Sequence, residues 1–226
     1  MKKIKVLNLY ACLGGNRYKW DEVADIEVTA VELDPELARL YQERFPNDKV
    51  IVADAHQYLL DHYKEYHFVW TSPPCPTHSR LTLAMKTKRK MTYPDMKLYQ
   101  EIIFLDKFFN GMYCVENVVP FYSPLISAKK RHRHLYWTNF NIPNVLSNRN
   151  QAKIGQSDVG VKHDEFIKLC KFHEIDLSTY KGKQRKDKIA RNLVDYEAGK
   201  TIFETAVNII QNKPLEQIGL FQKNDY

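Results

Sequence analysis

A cysteine flanked by prolines is an unusual feature of this sequence, and its thiol could take part in chemistry. It is Cys75 in the stretch TSPPCP at 71–76, which directly follows an apolar run. Proline fixes the backbone and removes an amide donor, so the thiol is held in one direction. Cysteine is most often a buried structural residue. A polar loop at a predicted strand end instead favours a nucleophile that reacts as the thiolate.

A glutamate ends the next apolar strand along the chain. Glu116 closes residues 112–116, and a carboxylate in that place is costly unless it has a partner. Ligands of open α/β sheets bind outside the carboxyl ends of the strands, where Cys75 and Glu116 are both expected. Cys114 belongs to the apolar run itself, and we interpret it as a core residue.

A glycine turn and two further acids follow the first three predicted strands. The sequence NLYACLGG at 8–15 ends the first strand, and small residues there let the backbone approach a ligand closely. Glu32 comes about 20 residues later, where an acid binds the two ribose hydroxyls of an adenosine. Asp54 follows the third strand and could accept a hydrogen bond from an adenine amino group. Each feature alone is common, but the three in series favour a nucleoside cofactor.

The elements that would position these residues alternate along the chain. Apolar runs predict strands at 4–9, 26–32, 49–52, 67–71 and 112–116, with helices at 17–24, 34–44 and 95–109. This alternation predicts an α/β fold with a doubly wound, mostly parallel Rossmann-like sheet. Beyond residue 143 the pattern weakens to a helix at 163–172, a basic run at 181–188 and a last helix at 197–211.

Composition limits the class of protein. The 226 residues suffice for one well-buried domain, and a formal charge of +7 modestly favours a polyanionic partner. The four cysteines are scattered, which argues against a disulfide framework and a zinc site, so no metal is expected. No stretch is long and apolar enough for a signal peptide or a membrane span. We therefore expect a cytoplasmic protein of bacterial or phage type without a membrane partner.

The order of these motifs resembles that of the cytosine-5 DNA methyltransferases. The motifs are LYACLGG at 9–15, VELD at 31–34, Asp54, PPCP at 73–76, ENV at 116–118 and RHR at 131–133. The resemblance covers residues 4–140 and resumes at 189–210. Pro-Cys and Glu-Asn-Val, in that order on the fourth and fifth strands, are specific to this family.

The resemblance implies a mechanism and a site. Cys75 would attack carbon-6 of a flipped cytosine in double-stranded DNA, while Glu116 holds ring nitrogen-3 and the amine, and Arg131 and Arg133 hold the carbonyl oxygen. S-adenosylmethionine would be bound by Tyr10, Ala11, Cys12, Leu13, Gly14, Gly15, Glu32, Leu33, Asp54, Ala55, Pro74 and Asn192. The nucleic acid would be bound by Ser79, Lys86, Lys88, Arg89, Lys90, Lys181, Lys183, Arg185 and Lys186.

The sequence also departs from the family pattern. Cys12 replaces the first glycine of the cofactor loop, Arg191 the glycine before Asn192, and Lys129 a glutamine before the arginines. We expect a catalytic and cofactor-binding part at 1–140, a reduced target-recognition region at 141–185, and a C-terminal segment at 186–226 that returns to the catalytic part. So small a recognition region leaves room for a second copy or a specificity partner.

Three other functions share some of these features. A tRNA cytosine-5 methyltransferase would carry the same motifs, although no RNA-specific module is evident. An amino-methyltransferase has a Ser-Pro-Pro-aromatic loop, whereas position 75 is cysteine here. A catalytically silent nucleic-acid-binding protein would not need both Cys75 and Glu116.

The small recognition region predicts weak sequence discrimination. Because each good bidentate base contact discriminates by about 1–3 kcal/mol, few contacts restrict the methylated site to about two to four base pairs. Most of the affinity should then come from phosphate contacts, so DNA binding should fall steeply with salt. Methylation mapping with the purified protein tests this, and a strict six-base motif would contradict it.

Overall fold

The sheet has seven strands in the order β3-β2-β1-β4-β5-β7-β6. This computed structural model describes residues 3–80, 93–147 and 159–212, with only the backbone at 159–163. The strands are β1 (Ile4–Leu9), β2 (Ile26–Glu32), β3 (Lys49–Val52), β4 (Phe68–Thr71), β5 (Met112–Val118), β6 (Lys129–Arg131) and β7 (His134–Thr138). The first five strands pair in parallel, while β7 runs antiparallel to both of its neighbours. The predicted fold class is confirmed.

Six α-helices accompany the sheet in the described ranges. They are α1 (Pro35–Arg44), α2 (Ala55–His62), α3 (Lys97–Phe108), α4 (Val159–His173), α5 (Lys186–Asn192) and α6 (Tyr196–Asn212). Asp34 caps α1 by accepting from the amide of Glu36 at 3.0 Å, with Pro35 in the first turn. Such a start is typical of helices, because aspartate accepts an orphan amide and proline lacks one. None of these helices is long and apolar enough to cross a membrane.

Apolar side chains cover both faces of the sheet. On one face Trp20 packs against Phe68 and Phe203, so α6 closes this side of the core. On the other face Leu59 of α2 and Leu105 of α3 are fully buried in a second cluster. A parallel sheet needs cover on both faces, which explains its nearly continuous apolar strands. The carboxyl ends of the parallel strands therefore remain the accessible edge.

The helix predicted at 17–24 is wrong. Residues 17–24 form turns and a short 3₁₀ helix, Trp20–Glu22. Trp20 is fully buried and donates from its indole nitrogen to the carbonyl of Gly199 at 3.1 Å. Arg17 is drawn into a buried ion pair with Asp48. These tertiary contacts override the local helical preference.

The Arg17–Asp48 pair joins the residues after the glycine loop, which follows β1 at 10–15, to the turn before β3. Both of its hydrogen bonds measure 2.9 Å, and Asp48 also accepts from the hydroxyl of Tyr41 at 2.8 Å. Each side chain of the pair is only 4% exposed. A buried carboxylate that loses its cation is left uncompensated. The position of the loop therefore depends on an interaction outside the cavity.

We expect Arg17→Met to lower the free energy of unfolding by about 3–5 kcal/mol, because it strands the Asp48 carboxylate. Urea denaturation measures this loss. Arg39→Met is the matched control, since Arg39 pairs with Glu36 and Glu43 on the surface and should cost at most about 1 kcal/mol. Equal losses in the two variants would contradict a special role for the buried pair.

Candidate active site

A cavity of about 810 Å³ opens at the carboxyl ends of β1, β2, β4 and β5. This size is ordinary for a cofactor or small-molecule site. The predicted cofactor-binding and catalytic residues that line it are Tyr10, Ala11, Cys12, Gly15, Glu32, Leu33, Asp54, Ala55, Pro74, Cys75, Glu116 and Asn192. The structure thus brings most of the predicted cofactor residues together with the predicted nucleophile and acid.

The glycine loop after β1 is shaped by close packing. Tyr10, Cys12 and Gly14 have positive φ angles of 55°, 48° and 66°. A Cβ on Gly14 would lie 2.4 Å from the ring of Phe45, and one on Gly15 would lie 2.5 Å from the carbonyl of Val194. Only glycine fits both positions. Gly14 faces the protein interior, and so does the buried Leu13, so these two residues support the loop from behind.

Glu32 ties the first two strand ends together. One carboxylate oxygen accepts from the amide of Cys12 at 2.8 Å, and the other accepts from the amide of Asp34 at 2.9 Å. Burial raises the pKa of Glu32, and these amides oppose that rise. Each carboxylate oxygen keeps acceptor capacity beyond one hydrogen bond. The acid is therefore fixed at the cavity wall and can still accept from a ligand.

The predicted acid Asp54 serves as a helix cap. It accepts from the amide of Gln57 at 3.0 Å, which lowers the pKa of Asp54. The ammonium of Lys97 lies 3.8 Å away and lowers it further. Its helix α2 begins with Ala55, which also lines the cavity. The carboxylate thus stays charged at the cavity rim.

A buried carboxylate behind this rim was missed from the sequence. Glu101 is fully buried and accepts from the hydroxyls of Tyr10 at 2.6 Å and Thr71 at 2.7 Å. His56 places a ring nitrogen 3.0 Å from it. The position of Glu101 in the sequence indicated burial. Glu101 lies on the same helix face as the apolar residues Leu98, Ile102 and Leu105, and that face is the buried one. Glu101 anchors the side chain of Tyr10 in the glycine loop.

The Pro-Cys loop is joined to the end of β5. Asn117 donates from its side-chain amide to the carbonyl of Pro73 at 2.9 Å. The next residue before it, Glu116, is nearly buried, while Cys75 is half-buried. Both line the cavity, and the charge of Glu116 acts on the Cys75 thiol. Two motifs far apart in sequence therefore meet in one site.

The electrostatics of this pair favour the uncharged forms. Burial raises the pKa of Glu116 to about 7, although a hydrogen bond from Ser72 and the charge of Arg133 lower it. Burial and the nearby carboxylate of Glu116 raise the pKa of the Cys75 thiol, whereas Lys188 and Arg133 lower it. Removing charge from Glu116 therefore makes the thiolate easier to form. The two titrations are coupled.

The two predicted arginines behave differently. Arg133 is close enough for its charge to act on both Cys75 and Glu116. The guanidinium of Arg131 instead donates to the carbonyls of Pro143 at 2.6 Å and Ile142 at 3.1 Å. The tight antiparallel turn that pairs Arg131 with His134 aims Arg131 at residues 142–143. The structure does not bring Arg131 into the cavity.

A histidine beside Glu116 was not anticipated. His134 Nε2 lies 3.7 Å from a carboxylate oxygen of Glu116, and His134 lines the cavity. Burial and then the positive charges of Arg133 and His132 lower its pKa to about 4. The imidazole is therefore neutral at physiological pH. Its position directly after the arginine motif was the available signal.

The predicted nucleic-acid residues are only partly described. Lys86, Lys88, Arg89 and Lys90 lie outside the described residues. Ser79 forms a bridge with Pro120. In the basic run, Lys183 and Lys188 line the cavity, whereas Arg185 is exposed and pairs with Asp187 at 2.9 Å. Lys181 and Lys186 are also exposed.

The departure at Arg191 has a structural explanation. Its guanidinium pairs with Glu165 of α4 at 2.8 Å and approaches Asp187 at 3.5 Å. Both contacts are with acids, so the extra cation beside Asn192 is neutralised locally. Arg191 thus links α4 to α5 at the edge of the cavity.

Comparison with known proteins identifies the family. Residues 4–124 match the model of the C-5 cytosine-specific DNA methylases. The chain belongs to this family. The resemblance of its motifs is thereby confirmed, and so is the predicted cofactor, because S-adenosylmethionine is the methyl donor of these methylases. No match was found among the curated proteins.

Several solved structures are similar to parts of this chain at low identity. A hypothetical protein of Thermus thermophilus is 18% identical over 60% of this chain and 74% of its own, with a TM-score of 0.40. A SAM-dependent methyltransferase of Agrobacterium tumefaciens is 17% identical over 54% of this chain and 41% of its own, with a TM-score of 0.40. The Entamoeba histolytica methyltransferase EhMeth is 14% identical over 52% of this chain and 39% of its own, with a TM-score of 0.35.

The cavity fits the methyl donor of the family. Its fixed acid Glu32 can accept from hydroxyls, and Leu33 offers a largely exposed apolar side chain beside it. Asp54 and Ala55 stand at the start of α2 on the same wall. Within the described ranges, no group of three His, Cys, Asp or Glu is placed to hold a metal ion.

The raised pKa of Glu116 predicts a pH-dependent cost in stability. The folded protein binds this proton more tightly than the unfolded chain, so stability falls as pH rises from about 4.3 to the folded pKa near 7. Glu116→Gln keeps the neutral shape and should be more stable than wild type by about 3 kcal/mol at pH 8. The two proteins should be nearly equal at pH 4.

Urea unfolding at the two pH values tests this prediction. Glu36→Gln is the matched control, because the neighbouring Arg39 lowers the pKa of Glu36 and the sign of the effect reverses. If Glu116→Gln exceeded wild type in free energy of unfolding by the same amount at pH 4 and pH 8, burial would not disfavour the Glu116 carboxylate.

Proposed function

We propose that the protein is a DNA cytosine-5 methyltransferase that acts through a covalent adduct of Cys75. The observation that carries this proposal is the pairing of Cys75 and Glu116 at one end of the cavity. Asn117 holds them in register through the carbonyl of Pro73. The other end of the cavity presents Glu32 and Asp54, which suit an adenosine. A nucleophile, an acid and a nucleoside site in one cavity fit methyl transfer to a base.

The residues of the chain make carbon-5 of cytosine reactive. The thiolate of Cys75 forms a bond to carbon-6, and Glu116 in its acid form donates to ring nitrogen-3 as negative charge develops there. Electron density then collects at carbon-5, the atom that is methylated. When bound, S-adenosylmethionine supplies an electrophilic methyl group. Loss of the carbon-5 proton to solvent and cleavage of the bond between Cys75 Sγ and carbon-6 then restore the aromatic ring and the thiolate, and the proton shared with ring nitrogen-3 returns to Glu116.

This reaction requires Cys75 to lose its proton and Glu116 to be protonated. At rest the thiol of Cys75 is protonated, and Glu116 is half ionised near pH 7. Burial raises the pKa of the Cys75 thiol, and the charge of Glu116 raises it further. Protonating Glu116 removes that second cause, while Lys188 and Arg133 continue to favour the thiolate. The neutral His134 beside Glu116 can hydrogen-bond to either form of the carboxyl group. Formation of the Cys75 thiolate is thus linked to protonation of Glu116, the residue that binds the cytosine.

The cofactor roles follow from the wall residues. Glu32 accepts from the ribose hydroxyls, Asp54 from the adenine amino group, and Leu33 and Pro74 flank the ligand. Asn192 and Val194 also line the cavity. DNA is the proposed polymer because the family methylates DNA and the chain is basic, with a formal charge of +7. We extend to this chain the flipping of the target base out of the duplex.

Trapping the adduct tests this proposal. On a duplex with 5-fluorocytosine at the target, fluorine cannot leave as a proton does, so the protein should remain bonded to DNA in the presence of S-adenosylmethionine. Cys75→Ser should abolish both the adduct and turnover, because a hydroxyl is far less ionised and less nucleophilic than a thiol. Denaturing electrophoresis and mass spectrometry detect the bond.

Cys114→Ser is the matched control, since Cys114 is fully buried in the core and should leave the adduct intact. Methyl transfer by Cys75→Ser within tenfold of wild type would contradict the nucleophile. An adduct with a 5-fluorocytosine tRNA and none with the duplex would replace DNA by RNA as the substrate.

A further inference from the structure

We propose that residues 177–188, hereafter the wall segment, form part of the cofactor site, and that Gln184 is the positioning residue that fixes them there. The inference rests on the proposed function, because it concerns the methyl donor which that function requires. The sequence places this segment at the end of the target-recognition region and in the basic run, where DNA contacts were predicted.

Apolar packing docks the wall segment on the cofactor side of the molecule. Leu177 and Tyr180 are buried in one cluster with Leu13 of the glycine loop and with Leu37 and Leu40 of α1. Burying such side chains contributes about 1.5–3 kcal/mol each. A segment held in this way is part of the packed structure around the loop.

Hydrogen bonds to Asp34 fix the segment at the cavity rim. One carboxylate oxygen of Asp34 caps α1, and the other accepts from the amide group of Gln184 at 3.0 Å and from the hydroxyl of Tyr180 at 3.3 Å. The backbone amide of Gln184 donates to the same hydroxyl at 3.0 Å. Asp34 follows Glu32 by two residues, and Glu32 accepts from its amide. The wall is thereby coupled to the acid assigned to the ribose.

Two further contacts hold the segment along α1. Arg39 donates to the carbonyl of Thr179 at 3.3 Å, and the amide of Lys181 donates to the carboxylate of Glu36 at 3.3 Å. Arg44, the last residue of α1, donates to the carbonyls of Leu13 and of His173, the last residue of α4. The first half of α1 therefore holds the wall segment, and its end holds the helix that precedes the segment.

The docked segment closes the cavity beside the adenosine end. Gly182, Lys183 and Gln184 line the cavity next to Leu33 and Asp34. A Cβ on Gly182 would lie 2.3 Å from the hydroxyl of Tyr180, so only glycine lets the chain pass this close. A ligand bound against Leu33 would therefore meet the wall segment.

This placement leaves little of the segment for reading bases. Arg185 pairs with Asp187, and the ammonium of Lys186 approaches the carbonyl of Ser178 at 3.3 Å. The wall segment is a binding element for the cofactor.

Calorimetric titration with S-adenosylhomocysteine tests the inference without turnover. Gln184→Glu keeps the side-chain shape but sets a second carboxylate against Asp34, so the affinity should fall at least about tenfold. The double variant Asp34→Asn, Gln184→Glu restores a donor–acceptor pair at unchanged total charge, and its affinity should return to within about threefold of wild type. Lys64→Gln is the control, because Lys64 is exposed in the short turn Tyr63–Glu65, outside both the wall segment and the cavity, and it should leave the affinity unchanged.

DNA binding measured by fluorescence anisotropy on the same proteins completes the test. Gln184→Glu should bind a duplex within about twofold of wild type at constant salt. Weaker DNA binding with unchanged S-adenosylhomocysteine affinity would overturn the inference, and so would a double variant that is not rescued. A wild type that fails to bind S-adenosylhomocysteine would overturn the proposed function as well. Failure of the fluorocytosine adduct with normal titration results would overturn only the DNA reaction.

Discussion

The site depends on the hydrogen bond from Asn117 to the carbonyl of Pro73. A loop that contains three prolines has few amides to donate, so it must be held through its carbonyls. Asn117 follows Glu116 on β5, and its side chain therefore sets the distance between two strand ends. Parallel pairing of β4 with β5 brings these ends to one edge, but it does not orient the loop beyond them. The asparagine contributes to that orientation, and with it to the relative placement of Cys75 and Glu116.

Most of the sheet and half of the site could be predicted from the sequence. Strands covered on both faces are nearly continuous apolar runs, so their bounds are visible, and the Asp34-Pro35 pair marks the start of α1. The acids and the cysteine follow from their places after those runs. The family match supports this part of the interpretation, since it spans residues 4–124.

The rest depends on contacts between residues far apart in the chain. Trp20 and Arg17 leave the expected helix because Gly199 and Asp48 hold them, and neither partner is local. The turn between β6 and β7 directs Arg131 away from the cavity, which a motif alone does not reveal. A run of lysines predicts a phosphate-binding surface, yet apolar neighbours at Leu177 and Tyr180 decide where that run lies. A sequence gives the charge of such a run, but not the part of the protein surface on which the run lies.

The protonated state of Cys75 has a consequence for the chemical durability of the protein. Oxidants such as peroxide attack the thiolate, and a thiol whose pKa is raised by burial is seldom in that form. We therefore expect the proposed nucleophile to resist oxidation while its thiol is protonated. A methylase built in this way should tolerate oxidising conditions that inactivate enzymes whose cysteines are permanently ionised.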